Sequence, residues 1–537
     1  MEQKILNRQH THTLKNIYCK ARDNSEEVTS SNPQNCIVHI LPAIMKITVI
    51  ASLLSSAGAF LSPPAANGNG FPLSSSTATT TDLERREEST FIAQPLQDNT
   101  LKSVQAIQDI SRAEYENGKF ECNDGVEFWM NYNRNGKYEL EDYARVTTDV
   151  SSRFFSEGGG ALSYWLRHTA RSGYFISNAA LGTLSSQLHE RLRSKEPSES
   201  KVTNALPSAA SALPRILAEV ALSYEQDYER ISQGKYKLPY DMYTRNRQNS
   251  PLYFGSKTAR FLSEAIGTLS RRNRGSEEDK RIWLSDDSIY PDYYKTAFHY
   301  QTDGWMSPDS ADVYETSTET LFLGGQDVMQ RTALVPLLEY ANDSTTTMGE
   351  SPLKVLEVGC GTGRFLTFVR DNLPLDSECT AVDLSPFYLN NARDNDKNWM
   401  SIRKRMEASN GSEGIKIDPA TFVQAKGEDL PFENEEFDVV VCMYVYHEVP
   451  RDIRAQISSE MERVTKKGGM VILTDSMQKG DRPGVDSTLG NFKNMNEPYY
   501  EDYIADCLPD HFEKVGLECS TKIHCRSTKT LAFRKPI

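Results

Sequence analysis

The sequence lacks an excess of basic charge. Its 60 Lys and Arg residues are outnumbered by 74 Asp and Glu residues, which gives the chain a formal net charge of −14 at pH 7. A protein that binds nucleic acid without regard to sequence needs clustered Lys and Arg to neutralise the phosphates. The composition therefore argues against that class of protein and gives no strong signal for nucleic acid as a partner.

Paired cysteines and metal-ligand spacings are also missing. The nine cysteines are an odd number, and none of them stands in a C-x-x-C arrangement. Such spacings are typical of zinc sites, and an even set of cysteines is typical of a disulfide framework. We therefore expect no metal site and no disulfide framework. Scattered cysteines of this kind are typical of a reducing compartment.

Near the N-terminus the sequence has no apolar run of the ~20 residues that a membrane-spanning helix needs. The apolar run at residues 45–54 is shorter, and the small residues at 57–59 follow it. This pattern is typical of a cleaved signal peptide, with Met45 as an alternative initiator to Met1. We therefore predict no transmembrane helix in the mature chain. The alternative is an uncleaved membrane anchor formed by residues 45–59.

The residues that follow resemble a second targeting signal. Phe60 begins a tract rich in Ser, Thr, Ala, Asn and Gly that contains no acidic residue before Asp82. The arrangement resembles the two-part leaders of algae with secondary plastids, in which a signal peptide precedes a transit peptide that starts with phenylalanine. The resemblance implies a plastid location, and the secretory pathway is the alternative. We expect residues 1–95 to be a largely disordered leader and linker.

Residues 96–340 have a mainly helical pattern and no catalytic constellation. In residues 101–110, for example, apolar residues recur three and four positions apart, as one face of a helix requires. Residues 290–306 differ because they mass aromatic and polar groups, among them Tyr300 and Trp305. We expect this segment to be a lid that contacts the substrate through these two side chains. Ordinary packing between domains is the alternative.

The strongest motif lies at residues 354–366, where a short apolar run meets glycines at alternate positions. It predicts a strand, a tight turn and a helix, because Gly359, Gly361 and Gly363 allow unusual φ/ψ values and close approach of a nucleotide-like cofactor. Arg364 at the third glycine position excludes the dinucleotide fingerprint G-x-G-x-x-G, and no Gly-Lys-Ser/Thr ending indicates a P-loop. A glycine turn without a ligand is the alternative.

An acidic residue follows at the distance that such a cofactor site requires. Asp383 ends the next β-rich run, about 20 residues beyond the glycines, where a carboxylate accepts both hydroxyls of a ribose. Ser385 and Pro386 then predict the start of a helix, as a cap and a first-turn proline.

Together these residues resemble the motifs of class I S-adenosylmethionine (SAM)-dependent methyltransferases of type 11. The resemblance covers Glu357-x-Gly359-x-Gly361-x-Gly363, Asp383-Leu384-Ser385-Pro386 and the segments 425–432 and 436–442. It implies an α/β, Rossmann-like domain at residues 345–537, with a seven-stranded sheet that ends in an antiparallel strand pair. Two β-like runs, 516–525 and 528–533, fit that pair.

The resemblance also implies SAM as the cofactor. The residues expected to bind it are Glu357, Gly359, Gly361, Gly363, Asp383, Leu384, Gly427, Glu428 and Met443. Many relatives carry an acid where this sequence has Lys426. Glu428 or the main chain of Gly427 is therefore expected to contact the adenine.

The loop after the fourth strand of the domain offers groups for catalysis. His447 is expected to take a proton from the acceptor, since its ordinary pKa lies near working pH, and Glu448 either orients it or acts alone. Tyr446 is the third candidate catalytic residue. The alternative for His447 is a helix cap or a packing role. Tyr499 and Tyr500, beside a Glu in a later loop, are expected to contact the substrate.

Four short motifs also resemble a cyanobacterial and plastid subgroup: residues 298–301, 447–450, 475–478 and 497–500. Our hypothesis is methyl transfer from SAM to a small, lipophilic plastid metabolite of quinone or tetrapyrrole type. The alternatives are a SAM-binding regulator or scaffold without turnover and a nucleic-acid or protein methyltransferase. The Asn/Asp-Pro-Pro-Tyr signature of nucleic-acid base methyltransferases is absent at residues 442–445, which read Cys-Met-Tyr-Val. The sequence gives no indication of the oligomeric state.

Overall fold

The computed structural model describes most of the chain after its N-terminal part. The described residues are 121–122, 140–193, 205–242, 247, 250–274, 289–347, 352–411, 414–482, 486–489 and 496–537. The predicted leader at residues 1–95 and the helical pattern at 101–110 lie outside them. Within the described ranges, no helix combines the length and the apolar character needed to cross a membrane.

Helices dominate the described residues before the sheet. They are α1 Leu140–Glu157, α2 Gly159–Arg193, α3 Ala205–Ser232, α4 Pro251–Arg274, α5 Pro308–Leu321, α6 Gln326–Arg331 and α7 Leu334–Thr347. In α3, Ala218, Ala221 and Leu222 are buried in one hydrophobic cluster with Phe154 and Trp165. This spacing of three and four positions is that of a helix face turned towards a core. The expectation of a mainly helical region is confirmed over its described part.

The described strands form one mixed sheet of eight. They are β1 Glu121–Cys122, β2 Lys354–Val358, β3 Glu378–Asp383, β4 Thr421–Gln424, β5 Phe437–Met443, β6 Thr465–Ser476, β7 Glu518–Cys525 and β8 Thr528–Arg534. Their order is β1-β7-β8-β6-β5-β2-β3-β4, and β8 pairs antiparallel with both β6 and β7. The predicted seven-stranded sheet with its antiparallel C-terminal pair is confirmed. The two residues of β1 extend it by pairing parallel with β7.

The central strands are buried on both faces. Along β5, Val439 and Val441 belong to one hydrophobic cluster, while Val440 and Cys442 belong to another. This alternation is expected where helices cover both sides of a parallel sheet. The described helices that follow β2 are α8 Arg364–Asn372, α9 Pro386–Ser409, α10 Arg451–Val464, α11 Asp486–Leu489, α12 Tyr500–Tyr503 and α13 Leu508–Glu513. Because β2 to β6 run parallel, their carboxyl ends open at one edge, where such sheets bind ligands.

Arg364 fixes the upstream helices to the sheet domain. Its guanidinium donates to both carboxylate oxygens of Asp327 in α6, at 3.0 and 2.7 Å, and to Asp241 at 2.7 Å. All three residues are buried, so their charges compensate each other away from water. Since Arg364 is the first residue of α8, the helical region lies directly against the glycine turn that precedes this helix.

Candidate active site

The glycine turn connects β2 to α8 with three residues at positive φ. Gly359, Gly361 and Gly363 have φ values of +70°, +53° and +68°. A Cβ added to Gly359 would lie 2.4 Å from Cγ2 of Val445, whereas a Cβ on Gly361 would meet nothing within 4 Å. Gly361 therefore leaves open space at the turn. A Cβ on Gly363 would lie 2.9 Å from that of Ala392 in α9, so this glycine permits close helix packing.

Asp383 ends β3 beside this turn. One of its carboxylate oxygens accepts the Gly361 N–H and the other accepts the Ser385 N–H, each at 2.8 Å. Burial raises the pKa of Asp383 to about 6, although these two N–H groups act in the opposite direction. An ionised carboxylate has about four acceptor sites, so capacity remains for two further donors such as ribose hydroxyls. The Ser385 side chain caps α9 by accepting the Tyr388 N–H, as predicted.

A cavity opens at the carboxyl ends of the strands, and we call it the main cavity. Its volume is ≈ 780 Å³, counted to its open mouth. Predicted residues that line it are Gly359, Gly361, Asp383, Leu384, Gly427, Glu428, Met443, Glu448 and Trp305. Aromatic residues that the sequence analysis did not single out line it too: Tyr293, Tyr294, Tyr314, Tyr388 and Tyr444. The structure thus brings most of the predicted cofactor residues together.

The predicted lid forms part of this wall. The Tyr293 hydroxyl donates to both carboxylate oxygens of Glu428, at 2.7 and 2.8 Å. Trp305 stacks on Phe298 with ring centroids 4.4 Å apart. The segment at residues 290–306 therefore contacts the loop that is expected to hold the adenine. Tyr300 does not line the main cavity, and its carbonyl accepts a hydrogen bond from Arg271.

A second cavity, the side cavity, adjoins the main cavity at the glycine turn. Its volume is ≈ 530 Å³, counted to its open mouth, and both cavities are lined by Gly359, Gly361, Met443, Tyr314 and Tyr444. Glu357 lines the side cavity but not the main cavity, and it is 3% exposed. Its Oε2 atom has no hydrogen-bond partner among the described residues. Burial and the nearby Asp383 raise the pKa of Glu357 to about 8.

These features fit the cofactor that the motifs imply. Asp383 retains acceptor sites for the ribose hydroxyls, and Gly361 leaves room above the turn. The unpaired carboxylate oxygen of Glu357 suits a positively charged group such as the ammonium of SAM. Gly363 packs against α9 and lines neither cavity, so its contact with SAM stays a prediction.

A histidine–carboxylate pair lies where β5 and β6 end. His447 Nδ1 is 2.6 Å from Oδ1 of Asp475, and its Nε2 is 3.8 Å from Oε1 of Glu448. Burial lowers the pKa of His447, but Asp475, Glu448 and Glu497 more than offset this and raise it to about 10. Burial raises the pKa of Glu448 to about 8. His447 is therefore cationic near neutral pH, and Glu448 exchanges its proton close to that range.

A second pair, absent from our predicted site residues, faces the first. His299 Nδ1 is 3.3 Å from Oε1 of Glu497, whose Oε2 has no partner in the described part of the chain. Burial raises the pKa of Glu497 to about 7, and burial with His447 lowers that of His299 to about 4. Both residues lie in motifs of the subgroup resemblance, which was the available signal, as does Asp475.

Three further predicted residues, all tyrosines, do not line the main cavity. Tyr446 is fully buried, with its hydroxyl 2.9 Å from that of Ser458. The Tyr500 hydroxyl is 2.8 Å from Oγ of Ser476, and its ring lies edge-on to His447 with centroids 6.1 Å apart. Tyr499 is half-buried beside the lid aromatics. Their catalytic and substrate roles stay predictions.

Comparisons with known proteins match the domain. Residues 356–473 fit a family model described as a methyltransferase domain. The demethylmenaquinone methyltransferase of Staphylococcus aureus (strain MRSA252) is 30% identical over 149 residues, which cover 28% of this chain and 50% of that protein. The phosphatidylethanolamine N-methyltransferase of Cereibacter sphaeroides is 32% identical over 143 residues, covering 26% and 60%.

A solved SAM-dependent methyltransferase from Aquifex aeolicus is 16% identical, with a TM-score of 0.24 over 36% of this chain and 88% of that one, a likeness too low to inform function. The chain spans only about half the length of the curated relatives it matches. The methyltransferase assignment is nevertheless supported by the order of the strands, the order of the motifs and the fit to the family model. Residues 356–473 therefore form a class I SAM-dependent methyltransferase domain.

Proposed function

We propose that this chain is an enzyme that transfers the methyl group of SAM to a small, lipophilic acceptor of quinone or tetrapyrrole type. The observation that carries the proposal is the lining of the main cavity. Aromatic side chains and Glu448 line the same space as the glycine turn and Asp383. One relative is named for a quinone and another for a phospholipid, which supports a lipophilic acceptor.

SAM, when bound, supplies a methyl group on a positively charged sulfur. The residues of this chain hold and align the reactants, which is the main requirement of a displacement at that methyl group. Asp383 and the glycine turn are expected to bind the cofactor. The lid residues Tyr293, Tyr294 and Trp305 are expected to cover the reacting groups and exclude water.

The aromatic wall supports a planar acceptor. Tyr294, Tyr314 and Tyr388 line the main cavity, and burial raises the pKa of each well above its ordinary value. These hydroxyls therefore stay protonated and do not act as bases. Their rings offer flat apolar faces, on which aromatic ligands stack.

We infer that Glu448 is the general base. It lines the main cavity, whereas His447 does not. Burial raises the pKa of Glu448 to about 8, close to the pH at which a base works best. His447, held by Asp475, would act as a positioning residue that places a positive charge beside Glu448.

Transfer of labelled methyl groups tests the proposed function. The full chain is incubated with SAM carrying a radioactive methyl group and with plastid extract, and the products are separated into lipid, protein and nucleic-acid fractions. We expect label in the lipid fraction and none with the Asp383→Ala variant. Tight SAM binding without transfer would favour the regulator or scaffold, and label in protein or nucleic acid would favour those acceptors instead.

We also propose that the chain acts in a plastid, on the support of the two-part leader pattern in residues 1–95. A fluorescent protein fused behind residues 1–95 is expected to accumulate in the plastid of an alga with secondary plastids. Phe60→Ala is expected to divert it, because the transit peptide would lose its first residue. Secretion of the unmodified fusion, or its retention in a membrane, would contradict the proposal.

A further inference from the structure

The side cavity carries four buried polar atoms that have no hydrogen-bond partner among the described residues. They are Oε1 of Gln326, Oε1 of Gln330, Oε2 of Glu357 and Nε of Arg171. The first three residues are 6%, 8% and 3% exposed. Buried polar groups are nearly always paired, so four atoms with free hydrogen-bonding capacity around one cavity mark a place that can receive a polar ligand.

A network of charged side chains lies behind the side cavity. The Arg171 Nη2 atom donates to Glu319 at 2.9 Å and to Asp327 at 3.1 Å, and Arg364 holds Asp327 from the other side. This network satisfies the charged groups behind the cavity and fixes the side chains around it. The unpaired atoms are therefore held in place before a ligand arrives, which is the arrangement of a preorganised site.

The unpaired atoms describe the ligand. Three of them are acceptors, on Gln326, Gln330 and the ionised form of Glu357, which a bound cation would favour, and one is a donor, on Arg171. An ammonium group has three N–H donors, and a carboxylate accepts from a guanidinium. A group that carries both charges at once is the zwitterionic head of an α-amino acid. The side cavity also adjoins the main cavity along Gly359 and Gly361.

We propose that Gln326, Gln330 and Arg171 of the upstream helices complete the cofactor site by binding the amino-acid end of SAM. Gln326 and Gln330 would share the ammonium with Glu357, and the Nε–H of Arg171 would donate to the carboxylate. This inference rests on the proposed function, because it takes SAM as the ligand. It gives the helical region a role in binding, in addition to its packing against α8.

A comparison of two nucleosides isolates the contribution of the amino-acid end to cofactor binding. S-adenosylhomocysteine has this end, and 5′-methylthioadenosine lacks it. The dissociation constants of both are measured by calorimetry on the full chain and on a Gln326→Leu, Gln330→Leu double variant. We expect the preference for S-adenosylhomocysteine to fall ~10-fold or more, because hydrogen bonds to a charged group are lost. The affinity for 5′-methylthioadenosine should change less than ~2-fold on the same reasoning.

Gln326→Glu keeps an acceptor at the same position and is expected to retain the preference. Gln233→Leu makes the same kind of change at an exposed residue and serves as the matched control. An unchanged preference in the double variant would overturn the inference and leave the cofactor assignment intact. A wild-type chain that binds neither nucleoside would instead overturn the proposed function. If circular dichroism finds the double variant unfolded, the single Gln330→Met variant tests the inference instead. Its ratio of the two dissociation constants is then compared with that of the wild type.

Discussion

Replacing Asp383 by Ala is expected to weaken the binding of S-adenosylhomocysteine by at least ~100-fold, because two hydrogen bonds from the ribose hydroxyls to an ionised carboxylate would be lost at ~1.5–3 kcal/mol each. The same carboxylate accepts the backbone N–H groups of Gly361 and Ser385, at 2.8 Å each. The carboxylate therefore ties the glycine turn to the end of β3 and, in our assignment, holds the ribose as well. Calorimetric titration with S-adenosylhomocysteine measures the loss.

Two further variants separate this role from general damage. Asp376→Ala makes the same change at an exposed position just before β3 and is expected to leave the affinity unaltered. Asp383→Asn keeps an acceptor for one N–H group and is expected to fall between the wild type and Asp383→Ala. If Asp383→Ala binds S-adenosylhomocysteine as tightly as the wild type does, the assignment of the ribose contact is wrong.

The cofactor side of the site was predictable because its geometry is local. Strand, glycine turn, helix and the next strand follow each other within about 30 residues, a length typical of a βαβ unit. Within such a unit the right-handed crossover fixes which strand ends meet. Gly361 and Asp383 therefore had to come together once the pattern was recognised, and the structure places them 2.8 Å apart, from N to Oδ2.

The acceptor side was less predictable because its contacts join distant segments. His299 and Glu497 lie nearly two hundred positions apart in the sequence, and no local pattern indicates that they meet. Tyr446 and Glu448 show the reverse case, in which neighbouring residues have side chains in different environments. They are two positions apart on one short turn, yet Tyr446 points into the core and Glu448 lines the main cavity. The residue types alone do not show which of the two side chains points into the core.

The unpaired atoms of the side cavity illustrate the same limit. Arg171 and Gln326 belong to helices whose periodicity predicts packing and nothing more. Their position against the glycine turn follows from Arg364, which bonds Asp327 across the boundary between the helices and the sheet domain. In the sequence, Arg364 is informative only because it departs from the dinucleotide fingerprint. In our proposal, the arginine that departs from the dinucleotide fingerprint thus helps to position residues that bind SAM.

The largest expected effect on turnover comes from Glu448→Gln. We expect kcat to fall by ~10²–10⁴-fold, the usual contribution of a general base, while the affinity for S-adenosylhomocysteine stays unchanged. The amide has nearly the same shape as the carboxylate, so the lining of the main cavity is preserved, but it does not take up a proton. The rate is measured with the acceptor identified by labelled transfer. Glu433→Gln, at an exposed position, is the matched control.

The pH dependence of the rate distinguishes the general base from a residue that only shapes the cavity. The pKa of Glu448 is raised to about 8, so its carboxylate forms as the pH rises through this value. The wild-type rate should therefore climb between pH 7 and 9, and the Glu448→Gln rate should not follow that rise.

His447 lowers the pKa of Glu448, whereas Glu497, Asp475 and Asp383 raise it. His447→Gln should therefore move the midpoint to higher pH without abolishing turnover, because the positive charge beside the carboxylate is removed. A midpoint that stays in place would show that His447 does not act through Glu448, and an equal rise in Glu448→Gln would assign the base to another group.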